Sequence, residues 1–337
     1  MSISKKSNSM HSRRAFLFQS SLASLGLFVA SKSAIAENIF GLSNTNSLIN
    51  GVQVGAITYS FRSLPGSATQ LLQYCVEANI TAIELMGDAI EQYAGAPTSP
   101  VQWVPGIKIE WTDELKAKMK TYQADLVKWR ETVNMDKFKE IKKMYNKAGV
   151  SIYAFKPNAL NPTNTDGEIE YALKAAKALG AKSVTVEIPN DPKHSKRLGD
   201  LGEKHGIYIG YHAHLQATDT AWDLALSQSP FNSMNLDCGH YIAAGGANTK
   251  ESLLALINAK HDRITSMHIK DRQNKVNGGK NMPWGEGDTP LKEILTLLKE
   301  NKYKIPATIE FEYDIPQGSD AIKETRKCLE YAKKILA

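Results

Sequence analysis

Cysteine is scarce: three in 337 residues. That is too few for a disulfide-stapled scaffold. No two of them form a Cys-x-x-Cys pair, which argues against a zinc ribbon. Acidic residues are missing from the first 36 positions. After position 36 no apolar run is long enough to span a bilayer. The turn after the first β-rich segment, Ser60-Phe61-Arg62-Ser63-Leu64, has none of the glycines of a dinucleotide fingerprint, which counts against a doubly wound open sheet. What is present is globular: 42% hydrophobic and 23% charged residues, neither collagen-like nor disordered.

The formal charge of +6 suggests an anionic partner until it is located. Lys5, Lys6, Arg13, Arg14 and Lys32 all lie in residues 1–36. Without them the charge is +1 on the remaining 301 residues, and the case for a nucleic-acid partner falls away. The same segment has the order of an export leader. Basic residues precede the apolar stretch Phe16–Ala30, and Ala34-Ile35-Ala36 supplies an A-x-A cleavage pattern. The run Ser12-Arg13-Arg14-Ala15-Phe16-Leu17 resembles a twin-arginine signal. The expectation is a leader over 1–36, a linker over 37–50 and a single domain over 51–337. The mature protein is expected to be periplasmic or otherwise exported, with no stable membrane insertion after cleavage.

Short β-branched runs alternate with amphipathic helices through that domain. Strands are expected over 51–61, 81–86, 150–156, 183–188, 207–212, 233–237, 263–269 and 307–311. Helices are expected over 69–78, 168–179 and 320–336, among others. Eight such units predict an α/β fold, a closed (β/α)8 TIM barrel. The gap over 87–149 is too long for one crossover and reads as a helical and loop insertion after strand two. It is either a lid over the catalytic face or a decoration packed outside.

The strand ends carry the chemistry. Glu84, Glu187, His212 with His214, Asp237 with His240, His268 with Lys270, and Glu310 with Glu312 fall at the C-terminal ends of strands. In a barrel those ends converge on one small volume. Ionisable side chains are rarely buried unless paired or bound to metal. Mixed carboxylate and imidazole donors suit a divalent ion: Mn, Co, Zn or Mg.

The segments Leu236-Asp237-Cys238-Gly239-His240, Met267-His268-Ile269-Lys270-Asp271 and Trp284-Gly285-Glu286-Gly287-Asp288-Thr289-Pro290 resemble the sugar isomerase/epimerase superfamily with the xylose-isomerase-like barrel. That group includes tagatose epimerase, inosose dehydratase, endonuclease IV and exported lyases of 3-keto-glycosides. The resemblance spans roughly residues 50–335. It implies Asp237, His268 and Glu310 as metal ligands. The usual fourth ligand is a Glu after strand four or five, which makes Glu187 the candidate here.

An ion on adjacent sugar oxygens polarises a carbonyl, and a base then removes the neighbouring proton. The outcome is isomerisation, epimerisation or elimination. Candidate bases are His212, His214, Glu187 and Glu312, with Lys156 and Lys270 assisting. Glu84, His240, Trp103, Trp284 and Tyr59 are candidates for substrate contact. The expected substrate is a neutral sugar, keto-sugar or glycoside. An endonuclease-like enzyme and a non-catalytic sugar-binding barrel are the alternatives, and homo-oligomerisation is left open.

Overall fold

The computed structural model describes residues 46–101 and 108–337. The expected leader over 1–36, the expected linker up to 45 and Trp103 lie outside the described residues. Eight parallel strands run in chain order: β1 (Val52–Ile57), β2 (Ala82–Met86), β3 (Ser151–Lys156), β4 (Ser183–Glu187), β5 (Tyr208–His212), β6 (Asn232–Asp237), β7 (Ile264–Ile269) and β8 (Ala307–Ile309). Each pairs with the next, and β8 returns to β1 through Val54 opposite Ala307 and Ala56 opposite Ile309. The sheet is therefore a closed barrel. A two-residue strand, Leu48–Ile49, pairs antiparallel to the start of β1.

Helices cross between the strands: α1 (Ala68–Glu77), α2 (Asp88–Tyr93), α3 (Asp113–Thr132), α4 (Asp136–Lys147), α5 (Asp166–Leu179), α6 (Pro192–His205), α7 (Asp223–Gln228), α8 (Cys238–Ala244), α9 (Lys250–Lys260), α10 (Leu291–Glu300) and α11 (Ala321–Leu336). Their limits follow local chemistry. The Thr165 side chain accepts from the Glu168 backbone N–H, and the Glu168 side chain accepts in return from the Thr165 N–H. Gly180, at φ 86°, ends the same helix in the left-handed conformation that glycine adopts without strain. No helix among the described residues is long and apolar enough to cross a membrane.

Strand side chains alternate between the two sides of the sheet. In β6, Met234 and Leu236 alternate with Asn235 and Asp237, all buried. In β7, Met267 and Ile269 alternate with Ser266 and His268. The apolar members join the core with the helices. The polar members fill the barrel interior, with Tyr153 and Thr308 bonded to each other there at 2.7 Å. A Cβ on Gly55 would lie 2.7 Å from the Tyr153 ring, so glycine makes room for it.

Three sequence expectations need correction. The first strand stops at Ile57, and Thr58–Phe61 forms a 3-10 turn in which the Thr58 hydroxyl accepts the Met86 N–H. The last strand ends at Ile309. The segment 87–149 is not one insertion, because α4 buries Phe138, Ile141 and Tyr145 at helical spacing and packs on α5 and β3. It is the ordinary crossover helix of its unit. Helix α3 sets a half-buried stripe of Leu115, Met119, Tyr122, Leu126 and Trp129 toward the protein and fully buries only Arg130. That guanidinium grips both Glu91 oxygens, at 3.1 Å each, and Glu168 at 3.1 Å, which pins α3 between α2 and α5.

Candidate active site

A cavity of about 160 Å³ opens at the C-terminal ends of the strands. It is lined by Ile57, Tyr59, Met86, Lys156, Glu187, His212, His214, His240, Lys270, Glu310 and Glu312. Asp237, His268 and Glu84 lie beneath these residues, fully buried.

Asp237 ends β6 and also caps α8. Its Oδ1 accepts the His240 backbone N–H at 2.6 Å, which fixes the carboxylate. Its Oδ2 is buried and has no hydrogen-bond partner; Lys270 Nζ lies 3.2 Å away and His268 Nδ1 3.8 Å away. Burial raises the Asp237 pKa against the pull of Lys270. The His268 ring is held at both ends, with Nε2 2.9 Å from Glu84 and Nδ1 2.9 Å from Glu310. Burial opposes charge on this ring, yet the Glu310 and Glu84 carboxylates outweigh it and raise its pKa to about 10. Lys270 Nζ sits 2.7 Å from Glu310 and 2.9 Å from Glu312. Burial alone would lower its pKa, but Asp237, Glu310 and Glu312 raise it above the ordinary lysine value.

The two strand-five histidines take different places. His212 is buried, and its Nδ1 lies 2.8 Å from Asn235 Oδ1. Burial, with Lys156 and His268 nearby, pushes its pKa well below the usual imidazole value, so the ring is neutral. His214 stands half-exposed at the rim, 3.3 Å from Glu187 and stacked on His240 with ring centroids 4.5 Å apart. His240 lies between Lys270, 3.1 Å from Nε2, and Arg272, 2.6 Å from Nδ1. Burial and these cations push its pKa down to about 2.

Among the described residues, two groups bring possible ligand atoms within 4.8 Å of one another: His212 with Asp237 and His268, and His212 with His214 and His240. Glu187 is in neither. Although it sits opposite His212 in the ladder, its carboxylate is drawn to the rim by Lys156, at 3.1 Å, and by His214. His212 thus takes the place expected of Glu187, in one group with Asp237 and His268. The donor set fits a divalent cation on the strength of Asp237 Oδ2, a buried oxygen aimed among imidazoles that makes no hydrogen bond and has only the Lys270 ammonium, at 3.2 Å, for a counter-charge.

Other expected contacts divide. Tyr59, Lys156, His240, Lys270 and Glu312 line the cavity. Glu84 does not, because it is spent on His268 and Asn235. Trp284 is also absent from the mouth. It borders a separate cavity of about 610 Å³ against Tyr331 and α11, larger than the mouth but remote from its carboxylates and imidazoles. The loop that carries it is built on Asp271, whose carboxylate accepts the N–H groups of Gly285, Gly287 and Thr289 at 2.8–3.2 Å. Residues missed from the sequence are Asn235 and Arg272. Asn235 was legible as a polar residue two positions before Asp237, hence on the same face of β6.

The family described as Xylose isomerase-like TIM barrel matches residues 72–332. No curated protein matches the chain. Among solved structures, a sugar phosphate isomerase/epimerase from Parabacteroides distasonis is 17% identical, with a TM-score of 0.55, over 85% of this chain and 96% of that one. A probable 3-DHS dehydratase from Bacillus anthracis is 14% identical, with a TM-score of 0.56, over 83% and 98%. A xylose isomerase-like TIM barrel protein from Mycobacterium smegmatis, in complex with magnesium, is 14% identical, with a TM-score of 0.51, over 85% and 96%. At these identities the likeness is one of fold.

Proposed function

The chain belongs to the xylose isomerase-like TIM barrel family, and from that membership we propose that it is a divalent-metal-dependent sugar isomerase, epimerase or lyase. Its substrate in this reading is a neutral sugar, keto-sugar or 3-keto-glycoside, deprotonated next to a carbonyl. The observation that carries the reading is the Asp237 carboxylate. One of its oxygens is fixed by a helix N–H and the other is buried with no hydrogen bond, only the Lys270 ammonium 3.2 Å away. Leaving such an acceptor unsatisfied costs about 1–3 kcal/mol, more when it is charged. A cation held by His212, Asp237, His268 and Glu310 removes that cost, and the magnesium reported for the Mycobacterium smegmatis neighbour fits the same chemistry. When bound, the ion polarises a carbonyl and stabilises the charge left by proton removal.

The chain's own residues supply the rest. Arg272 can only donate, so His240 Nδ1 accepts and the proton of this neutral ring sits on Nε2. That N–H and the Lys270 ammonium lie side by side, 3.1 Å apart, and two adjacent donors call for an acceptor within reach of both. We assign that place to a substrate oxygen. His214, backed by Glu187, takes the proton at the rim. The cavity cations Lys156 and Lys270 are matched by Glu187 and Glu312, which favours an uncharged sugar over a phosphate ester. In this reading residues 1–36 act as an export leader and the activity lies outside the cytoplasm; exported protein sequenced from its terminus should begin near Glu37.

Metal analysis and turnover test the reading. Asp237→Ala, His268→Ala and His212→Ala should each lose bound divalent metal while staying folded. His214→Ala should keep the metal and lose on the order of 10²–10⁴ in kcat/KM, measured on the substrate found by screening sugars, glycosides and their 3-keto forms with the Mn-loaded protein. Unchanged metal content in the first three variants overturns the metal site. Unchanged turnover in the fourth overturns the base.

A further inference from the structure

We infer that Asn235 is a positioning residue that sets the tautomer of His212, and that Glu84 orients two imidazoles of the site in opposite senses. The argument starts from Glu84, a carboxylate from β2 with no exposed surface. An ionised carboxylate only accepts. Glu84 Oε2 takes two nitrogen partners at once, the arrangement of an accepting carboxylate oxygen. Its Oε2 lies 3.0 Å from Asn235 Nδ2 and 2.9 Å from His268 Nε2, so both of those nitrogens donate to it.

The Asn235 amide is therefore oriented by its partners. Nδ2 faces Glu84 and also Ser266 Oγ, at 2.7 Å. Oδ1 must then face His212, 2.8 Å from Nδ1. The reverse orientation would set an amide oxygen against the carboxylate. A carbonyl oxygen cannot donate, so the His212 proton sits on Nδ1 and Nε2 is left as the open lone pair of the ring. His268 has the opposite arrangement, with Nε2–H on Glu84 and Nδ1 turned to Glu310 and Asp237. One buried carboxylate thus holds one imidazole by Nε2 directly and, by way of an amide, a second by Nδ1. Partners of this kind fix the orientation of ligating histidines and raise their basicity. The role of the relay rests on the metal reading above; the tautomer itself does not.

The test reads the tautomer directly. Long-range ¹H–¹⁵N correlation of the imidazoles in metal-free protein should show His212 in the Nδ1–H form. Asn235→Leu should shift it toward Nε2–H and weaken Mn²⁺ binding by roughly 10- to 100-fold. Asn235→Asp keeps an acceptor for His212; with one proton shared between its carboxyl and Glu84, the Nδ1–H form should persist. An Nε2–H form in the unaltered protein overturns the inference. So does an Asn235→Leu protein in which both tautomer and affinity are unchanged. If Asn235→Leu does not fold, the unaltered protein and Asn235→Asp decide. An Nδ1–H ring in a protein that binds no divalent ion supports the relay and overturns the metal reading instead.

Discussion

Lys270 shows how a single residue can be read in two ways. Its place after His268 in β7 marks it as a strand-end lysine, and nothing in sequence says that it is buried against three carboxylates at 2.7–3.2 Å. Replacing it by Met removes the one lysine ion-paired with all three among the described residues. Breaking a buried ionic cluster from one side costs about 3–5 kcal/mol. The expected outcome for Lys270→Met is a lower Tm in metal-free buffer, with part of the loss recovered in saturating Mn²⁺. A Tm equal to that of the unaltered protein would count against the cluster. Trp284 teaches the reverse. Its sequence neighbourhood suggested a sugar platform, but the loop geometry turns it toward Tyr331. Trp284→Phe should therefore leave KM for the sugar unchanged, and a raised KM would return it to the mouth. Asp237, His268 and Glu310 were legible because strand ends converge whatever the details. The role of Glu84 was not, since whether a strand-end carboxylate meets substrate or another side chain depends on depth in the barrel.

At the scale of elements, the segment between β2 and β3 was misread for a physical reason. Helix α4 is rich in lysine, and only Phe138, Ile141 and Tyr145 betray its buried face. Helix α3 has only a half-buried apolar stripe, Leu115, Met119, Tyr122, Leu126 and Trp129, with Trp129 edge-on to Tyr171, so Arg130 is its one fully buried anchor. Arg130→Met would leave Glu91 and Glu168 buried without their cation, at a cost of about 3–5 kcal/mol. Amide exchange in residues 113–132 should rise well above that in α5. Equal protection in both helices would show that something other than the guanidinium holds α3. The 283–289 loop depends likewise on one carboxylate. A Cβ on Gly287 would lie 2.2 Å from Asp271 Oδ1, so Gly287→Ala must displace either the loop or its anchor. Faster proteolysis within residues 278–289 is the expected result, and an unchanged digestion pattern would refute it.

Across the whole molecule, the eight-strand count was readable because each β-branched run is bounded by turn residues and followed by a helix. Closure was not readable in itself, because it is a pairing between distant segments. Asn50 donates to the Leu336 carbonyl at 2.7 Å across 286 positions, beside the seam where β1 meets β8. That seam has a bearing on synthesis. At ribosomal rates of about 5–20 residues per second, the partner of β1 emerges tens of seconds after β1 itself. Through that interval one flank of the first strand stays bare, exposed to any chain that offers a matching edge. The barrel closes only when Ala307–Ile309 arrive, so a nascent chain stalled before them would be a hazard. A circular permutant that joined the neighbourhoods of Asn50 and Leu336 and opened at Gly278-Gly279 would make this pair of strands early neighbours, and would move the last-closed seam to another part of the barrel.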